Sequence, residues 1–465
     1  MTEAPVIHWF RRDLRLSDNT GLQAALDSSA PVVPLFIVDP ALVASSRVGA
    51  SRMSFLIEGL HALDEALQAH GTRLMIRQGE PAAVLRQVIE TTEARAVYFN
   101  RDYTPFACRR DDELKDLLEI DVHAFDDVVL LPPGTVMKAD GDPYVVYSPF
   151  MRQWKSIAKL GIVEGQRGQF YEVGAPAWWP ETTWDGPLPP VSEDAAQQRL
   201  RTFMEGPVLS YQDKRNLLSA DPFQDFDTSC LSPYLRLGLL SPRQAYWAAR
   251  DAYELSNENV ERRSIETWIN ELIWREFYIH IMAHFPHVDR YSFRRQYDTL
   301  QWRDAPDEFK AWQEGQTGYP VVDAAMRQLK TIGWLPNRAR MIVASFLTKD
   351  LLIDWREGER HFMQWLIDGD PAANNGGWQW TAGTGTDAQP YFRIFNPVTQ
   401  SAKFDPSGAY IRRWVPELGD LPDRYIHRPW KMDTPPSSYP PPIVDHGEAR
   451  ERTLAAYKAV EPAKD

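Results

Sequence analysis

The sequence is short of cysteine, with only Cys108 and Cys230 among 465 residues. Two isolated thiols exclude a disulfide framework and a thiolate metal cluster, and they are typical of a reducing compartment, so we expect a cytoplasmic protein. The chain also lacks an apolar run long enough to span a membrane, and Arg11 and Arg12 interrupt its first apolar stretch. We therefore expect neither a signal peptide nor an association with membranes.

Positive charge is in deficit as well. Lys and Arg number 51 against 64 Asp and Glu, which gives a formal net charge of −13. This balance excludes nucleic-acid binding through overall charge, although a local basic surface still acts within a Debye length of about 10 Å. Tryptophan is abundant by contrast, with 17 residues. Core packing explains some of them, and the surplus favours stacking on ligands or electron transfer.

The first 130 residues alternate apolar runs with amphipathic stretches. We predict buried strands at residues 6–10, 31–38, 73–76 and 96–99. Between the second and third, Met53, Leu56, Leu60, Leu63 and Leu67 recur at helical spacing. Strand–helix alternation predicts a parallel, Rossmann-like α/β domain over residues 1–130. No GxGxxG follows the first strand, which excludes a dinucleotide-type phosphate turn.

The remaining chain has a different texture. Residues 131–200 lose the strand–helix period and contain a proline-rich stretch, so we predict a long linker there. Residues 201–465 consist of amphipathic stretches of helical period with short breaks at Pro or Gly, which predicts an all-α domain. Within it, Ser241-Pro242 predicts the start of a helix.

The densest polar and aromatic cluster lies in residues 368–397. It combines Asp368, Asp370, Asn374, Asn375, Trp378 and Trp380. The Gly, Asn and Pro residues around them predict an irregular segment rather than a helix. Hydrogen-bonding groups beside flat rings suit a planar heterocycle whose edge is polar and whose faces stay dry. The alternative is a Trp-rich core loop with internally satisfied polar groups.

Three other patterns contain candidate binding residues. Hydroxyls at Thr228, Ser229 and Ser232 precede a helix start, where they bind a phosphate or serve only as caps. Trp268, Glu271, Arg275 and Tyr278 share one helical face, as an internal ion pair or as a carboxylate presented to a ligand. Asn337, Arg338 and Arg340 follow a Trp-Leu-Pro turn and predict a nucleic-acid-facing surface or a solvated helix start.

Histidines at 280 and 284 have the helical spacing of zinc ligands. No HExxH glutamate accompanies His280 and His284, so we expect no metal site.

Several longer strings resemble one known family. TSCLSPYLRLG, NELIWREFY, TGYPVVDAAMRQL, GWLPNRARM and NNGGWQWTAGTGTDAQPYFRIFNP are similar to the DNA photolyases of the photolyase/cryptochrome family, most closely to the class I enzymes. The resemblance implies an α/β antenna domain, a long linker and an all-α FAD-binding catalytic domain. It also implies a carbon–carbon lyase in which light-excited FADH⁻ donates an electron to a cyclobutane pyrimidine dimer in UV-damaged DNA. The alternative is a cryptochrome, a flavin photoreceptor without repair activity.

Site residues follow from the positions that match this family. The implied cofactor-binding residues are Tyr211, Thr228, Ser229, Leu231, Ser232, Trp268, Arg275, Arg340, Asp368, Asp370 and Asn374. The implied substrate and DNA residues are Arg215, Glu271, Trp274, Asn337, Arg338, Met341, Trp380 and Gln400. Trp302, Trp355 and Trp378 match the family's electron-transfer chain. Catalytic roles are implied for Glu271 and Asn374 together with that chain.

Individual residues separate the branches of the family. Plant cryptochromes carry Asp where Asn374 stands, and the single-strand-preferring branch generally lacks the pair Trp274 and Trp380, so repair of duplex DNA is favoured. Folate-binding relatives carry Asn-Glu where this chain has Phe106-Ala107. A second antenna chromophore of folate or deazaflavin type therefore has no assigned identity. We expect a monomer without an obligate protein partner.

Overall fold

The structure is a computed structural model that describes residues 3–45, 47–163, 168–218, 223–224 and 226–461. Contacts between residues divide the chain into a first unit, Met1–Gln212 with Ser229–Pro286, and a second unit, Asp213–Thr228 with His287–Asp465. The predicted boundaries of the α/β domain, the linker and the helical domain come from changes in the sequence pattern rather than from contacts, and they stay a prediction.

A parallel five-stranded sheet forms the centre of the first unit. Its strands are β1 (Val6–Phe10), β2 (Val32–Val38), β3 (Met75–Gln78), β4 (Ala96–Asn100) and β5 (Asp121–Phe125), in the spatial order β3-β2-β1-β4-β5. Every residue of β1 and β2 is buried, because helices cover both faces of a parallel sheet. The order reverses direction at β1, which is the doubly wound arrangement expected from the sequence.

The helices of this part of the chain come next in order. They are α1 (Thr20–Asp27), α2 (Pro40–Val43), α3 (Ala50–Gln68), α4 (Pro81–Thr92), α5 (Pro105–Leu117), α6 (Tyr147–Ser156), α7 (Glu193–Met204), α8 (Tyr211–Lys214), α9 (Ser232–Leu237), α10 (Pro242–Leu255) and α11 (Asn259–His284). The predicted helix start at Ser241-Pro242 is confirmed, since Ser241 and Gln244 form a capping box at α10.

The second unit is helical. It contains α12 (Pro306–Glu314), α13 (Pro320–Ile332), α14 (Asn337–Ser345), α15 (Trp355–Trp365), α16 (Pro371–Ala382), α17 (Pro397–Phe404), α18 (Ala409–Trp414), α19 (Asp423–Ile426) and α20 (His446–Val460). A π-helical turn, Phe346–Asp350, continues α14. One apolar core joins α13 to α16 and includes Trp312, Trp355 and Trp378. The predicted fold class, an α/β domain followed by helices, is confirmed.

Two sequence-based expectations about secondary structure were wrong. β5 was not predicted, because DVHAF is only partly buried at the sheet edge and lacks a strong apolar run. Residues 371–382, expected to be irregular, form α16. Asp370 caps this helix and Pro371 occupies its first position, which offsets the weak helix propensity of its Gly and Asn residues. Within the described ranges, no helix combines the length and low charge that crossing a membrane requires.

Candidate functional site

The predicted site residues divide between the two units. The first unit contains Tyr211, Ser229, Leu231, Ser232, Trp268, Glu271, Trp274 and Arg275. The second contains Arg215, Thr228, Trp302, Asn337, Arg338, Arg340, Met341, Trp355, Asp368, Asp370, Asn374, Trp378, Trp380 and Gln400.

In the first unit, the 26-residue helix α11 carries the predicted carboxylate and aromatic residues. Its orientation is set by Glu276, which is fully buried and which sequence reasoning missed. The Glu276 carboxylate accepts hydrogen bonds from the backbone N–H groups of Leu130 and Leu131 and from Nε1 of Trp154. Burial raises the pKa of Glu276, and these donors oppose that shift. These bonds fix one face of α11, and Glu271 lies on another face of the same helix.

The other predicted residues of α11 are ordered by neighbours. Trp268 is buried and packs on Phe203 at a centroid distance of 5.8 Å, and Tyr211 packs on the same ring at 6.0 Å. The Arg275 guanidinium donates to the carbonyl of Val128 at 2.7 Å. The Phe203 ring thus brings Trp268 and Tyr211 into one aromatic cluster, and their cofactor-binding role stays a prediction.

The predicted phosphate residues lie at the start of α9. Leu231 is the N-cap of that helix and Ser232 its first residue, and Pro233 occupies the next position. Cys230 adopts a left-handed conformation with φ of 47°, and the Ser229 carbonyl accepts from Nε of Arg199 at 2.6 Å. The segment is therefore held by its backbone. Its phosphate-binding role stays a prediction.

In the second unit, the ion pair implied by the resemblance is present. Arg340 donates to Asp368 at 2.7 Å, and its Nε donates to the Leu335 carbonyl at 2.9 Å. The Asp368 side chain is 4% exposed and that of Arg340 is 28% exposed. The carboxylate thus holds a guanidinium that still reaches solvent. Asp370 accepts from the N–H groups of Ala372 and Ala373 at 3.0 and 3.1 Å, so it fixes the start of α16.

Helix α16 has one packed face and one open face. On the packed face, Asn375 and Gln379 are buried, and the Asn375 amide donates to the Val288 carbonyl at 2.8 Å. Asn374 and Gly377 lie on the open face, three residues apart. The Asn374 amide donates to the Glu359 carbonyl at 3.0 Å, which orients it.

Gly377 leaves the backbone of α16 bare beside that amide. A Cβ placed there would meet no atom of the described residues within 4 Å. Half-buried Trp380 follows one turn later. This face therefore combines bare backbone, an oriented amide and an indole, a set of groups that suits a flat ring system with a polar edge such as an isoalloxazine. The residues present fit FAD.

The three predicted electron-transfer tryptophans contact one core. Trp355 and Trp378 are 1% and 2% exposed, and Trp302 packs against the same core from its edge. A Cβ at Gly358 would lie 2.1 Å from Cη2 of Trp378. Gly358 follows Trp355 by three residues on α15, so the Trp378 ring lies within one helical turn of Trp355.

Trp302 is tied to the residues that precede Trp355. The N–H of its neighbour Arg303 donates to the Leu352 carbonyl at 2.8 Å, and the Arg303 guanidinium donates to Leu351 at 2.9 Å. The buried indole N–H groups of all three tryptophans have no hydrogen-bond partner in the described part of the chain. Trp312 in the same core donates to the Val343 carbonyl at 3.1 Å.

The predicted DNA-facing residues cluster around Arg338. Its guanidinium donates to Oδ1 of Asn216 and lies 4.3 Å from the Phe404 ring centroid. Burial lowers the pKa of Arg338, and the nearby charge of Arg215 lowers it further. Gln400 precedes Phe404 by one helical turn on α17. Exposed Asn337 contacts the Met341 sulfur at 3.7 Å. The structure therefore brings together Arg215, Asn337, Arg338, Met341 and Gln400.

Sequence reasoning missed several residues that shape these regions. Tyr147 stacks on Trp274, but it lies in a segment without a clear period. Lys349 is fully buried, and its Nζ donates to the Ala382 carbonyl at 2.6 Å. The adjacent Lys349-Asp350 pair inside the apolar run SFLTKDLLI was the available signal, because such charges are rarely buried without partners.

Comparisons with known proteins agree with this geometry. A family model described as DNA photolyase matches residues 6–167, and one described as FAD binding domain of DNA photolyase matches residues 268–459. Deoxyribodipyrimidine photo-lyase of Escherichia coli is 42% identical, with 98% of this chain and 99% of the relative covered. These matches, the doubly wound sheet and the helical half define a class of flavoprotein that combines an α/β domain with a helical FAD-binding domain.

Solved structures give the same result. A class III photolyase from Agrobacterium tumefaciens superposes with a TM-score of 0.88 at 39% identity, with 99% of this chain and 98% of that chain covered. A cryptochrome from Synechocystis gives a TM-score of 0.89 at 30% identity, with 98% and 100% covered. The chain belongs to the DNA photolyase family, and its helical half is an FAD-binding domain.

Proposed function

We propose that this protein is a light-driven lyase that splits cyclobutane pyrimidine dimers in UV-damaged DNA. The observation that carries the proposal is the open face of α16, where the oriented Asn374 amide, bare Gly377 and Trp380 follow one another. Full-length similarity to relatives named deoxyribodipyrimidine photo-lyase supports the same reaction.

Reduced FAD, when bound, supplies the light-excited electron donor for this chemistry. The chain's own residues hold it and balance its charge. Arg340 carries a fixed positive charge oriented by Asp368, and Asn374 places a neutral amide where a carboxylate would repel negative charge. Asp370, Trp268 and Arg275 contribute further contacts in this proposal. Tyr211, Thr228, Ser229, Leu231 and Ser232 bind the phosphate side of the cofactor.

The substrate contacts come from Glu271, Trp274, Met341 and Trp380. A dimer must leave the duplex before chemistry, which costs a few kcal/mol that its weak base pairing already reduces. Trp274 and Trp380 supply flat apolar surfaces for the extruded bases. Glu271 hydrogen-bonds the damaged bases and stabilises them as negative charge arrives. Arg215, Asn337, Arg338 and Gln400 contact the strand and set its position.

Trp378, Trp355 and Trp302 form the route by which electrons reach the cofactor from the protein edge. Their shared core and the close approach of Trp378 to Gly358 support a continuous path.

The remaining features of the proposal concern the whole protein. It acts as a cytoplasmic monomer without an obligate protein partner, and residues 1–130 serve as the antenna domain for a second chromophore. Residues 131–200 form the linker, and residues 201–465 form the catalytic domain. Phe106-Ala107 argues against a folate of the usual binding mode.

Light-dependent loss of dimers from UV-irradiated DNA tests the proposal, with purified FAD-loaded protein, a reductant and a dark control. Glu271→Ala is expected to lower the repair yield about fivefold, the effect of one hydrogen bond of about 1 kcal/mol, while FAD content stays unchanged. Exposed Glu266 lies on the same helix, so Glu266→Ala is the matched control. Equal repair by both variants would refute the role of Glu271.

The second candidate function is a cryptochrome photoreceptor, which the superposition on the Synechocystis protein favours. It predicts a flavin-loaded, photoreducible protein that repairs no dimers in the light.

A further inference from the structure

Tyr147 closes one face of the Trp274 indole. The two rings are stacked and nearly parallel, with 4° between their planes and 3.6 Å between their centroids. Tyr147 is 8% exposed, whereas Trp274 is half-buried. A second ring can therefore stack on Trp274 only from the side away from Tyr147. Tyr278, one turn further along α11, also lies against Trp274, with the ring planes tilted by 32° at a centroid distance of 5.6 Å.

Tyr147 is held at both ends. Its hydroxyl donates to the Asn270 carbonyl at 3.0 Å, one turn before Trp274 on the same helix α11. Its ring meets Phe277 edge-on at 5.9 Å, and Phe277 meets Trp274 edge-on at 5.7 Å. Phe277 is itself fully buried. These contacts clamp the Trp274 ring plane to the backbone of its own helix.

A tryptophan at a helix surface has several rotamers, and each points its ring plane in a different direction. Stacking aligns ring planes, so a fixed neighbour selects one of them. Because Trp274 is only half-buried, the ring that these contacts orient keeps part of its surface exposed.

We propose that Tyr147 is a positioning residue that holds the Trp274 indole ready to receive a flipped-out pyrimidine dimer on the face opposite Tyr147. This inference rests on the proposed function, since it deepens the substrate role of Trp274. The substrate class it defines is a pair of adjacent, linked pyrimidines of one strand whose rings are displaced from the duplex stack. Tyr147 thereby raises affinity for damaged DNA and leaves affinity for undamaged duplex unchanged.

Dark binding measurements test the inference with FAD-loaded protein and two oligonucleotides, one carrying a single thymine dimer and one undamaged. Tyr147→Leu is expected to weaken dimer binding about tenfold, the size of one aromatic stacking contact, without weakening binding to the undamaged strand. Tyr147→Phe keeps the ring and is expected to restore most of the discrimination. If the ratio of the affinities for dimer-containing and undamaged DNA were unchanged in Tyr147→Leu, the proposal would be overturned.

Phe150→Leu is the matched control, because Phe150 lies on the same helix α6 and packs on Phe277. It removes comparable buried aromatic packing and is expected to lower thermal stability while keeping the ratio of affinities. If Phe150→Leu lowered this affinity ratio as much as Tyr147→Leu did, a general loss of packing would explain both results and the positioning role would be refuted. Should Tyr147→Leu not fold, Tyr147→Met supplies the same measurement with a flexible side chain of closer volume.

Trp274→Ala separates this inference from the proposed function. If Trp274→Ala lost the preference for dimer-containing DNA while Tyr147→Leu kept it in full, the positioning role of Tyr147 would be refuted and the substrate role of Trp274 would stand. Unchanged discrimination in Trp274→Ala would refute the substrate role on which it rests.

Discussion

Replacing Gly358 by alanine probes the core that holds the proposed electron route. The new Cβ would lie 2.1 Å from Cη2 and 2.4 Å from Cζ3 of Trp378, and 2.6 Å from Cδ2 of Leu347. Carbon atoms in contact are about 3.5–4.0 Å apart, so the Trp378 ring must move by roughly 1.5 Å. Because Trp378 is 2% exposed within a packed core, it has no free space into which to move.

The magnitude follows from two opposing effects. Overpacking costs about 1–3 kcal/mol, and the change from Gly to Ala inside a helix returns about 1 kcal/mol. With a contact this short we expect the upper part of the range, and hence a net loss of roughly 1–2 kcal/mol in the free energy of unfolding. Displacement of Trp378 is also expected to slow light-driven reduction of bound FAD.

Gly377→Ala is the matched control in the same unit. Its Cβ meets nothing among the described residues within 4 Å, so FAD-free protein is expected to gain up to about 1 kcal/mol in stability. The same methyl group lies on the proposed cofactor face of α16 and is expected to weaken FAD binding. The two variants therefore have opposite profiles. Gly358→Ala loses stability and keeps its affinity for FAD, whereas Gly377→Ala gains stability and binds FAD more weakly.

Denaturant unfolding of FAD-free protein and titration with FAD measure both properties. Wild-type stability in Gly358→Ala would refute the packing argument. Wild-type FAD affinity in Gly377→Ala would refute the assignment of the open face of α16 to the cofactor.

Two further predictions concern charge. Burial lowers the pKa of Lys349 well below its unfolded value of about 10.4, so between these two values the unfolded state binds more protons and stability rises with pH, by up to about 1.4 kcal/mol per pH unit. Lys349→Met is expected to remove that slope, measured by denaturant unfolding from neutral pH to about pH 10; an unchanged slope would show that Lys349 is charged in the folded state. Asn374→Asp places a negative charge beside the proposed cofactor and removes the donor to Glu359. Its bound FAD is expected to become harder to reduce by tens of millivolts, about 59 mV being tenfold in a one-electron equilibrium, and an equal potential would contradict the role of Asn374.

Much of the fold is determined by neighbours along the chain. β1, β2 and β4 were predictable because strands buried on both faces require continuous apolar runs. The helix start at Ser241 was predictable because a cap and a proline act within one turn. α16 also has such a local signal, Asp370-Pro371, which the run of Gly and Asn residues outweighed in the sequence-based interpretation.

The residue types of the candidate site could likewise be identified from sequence, but the buried residues that hold their helices in place could not. Glu276 binds Leu130 and Leu131, which are 146 and 145 residues away along the chain, and its identity as an anchor depends on that approach. Lys349 and Ala382 meet in the same way.

The sequence by itself determined the parallel sheet, the helical half, the Arg340–Asp368 pairing through its family resemblance, and the chemical types gathered around α16. Only the tertiary structure decided that α16 presents an open face at Gly377, that Gly358 makes room for Trp378, and that Tyr147 covers one side of Trp274. Caps and periodicity act between near neighbours, whereas packing joins residues far apart in the chain, and no local pattern records which of them meet.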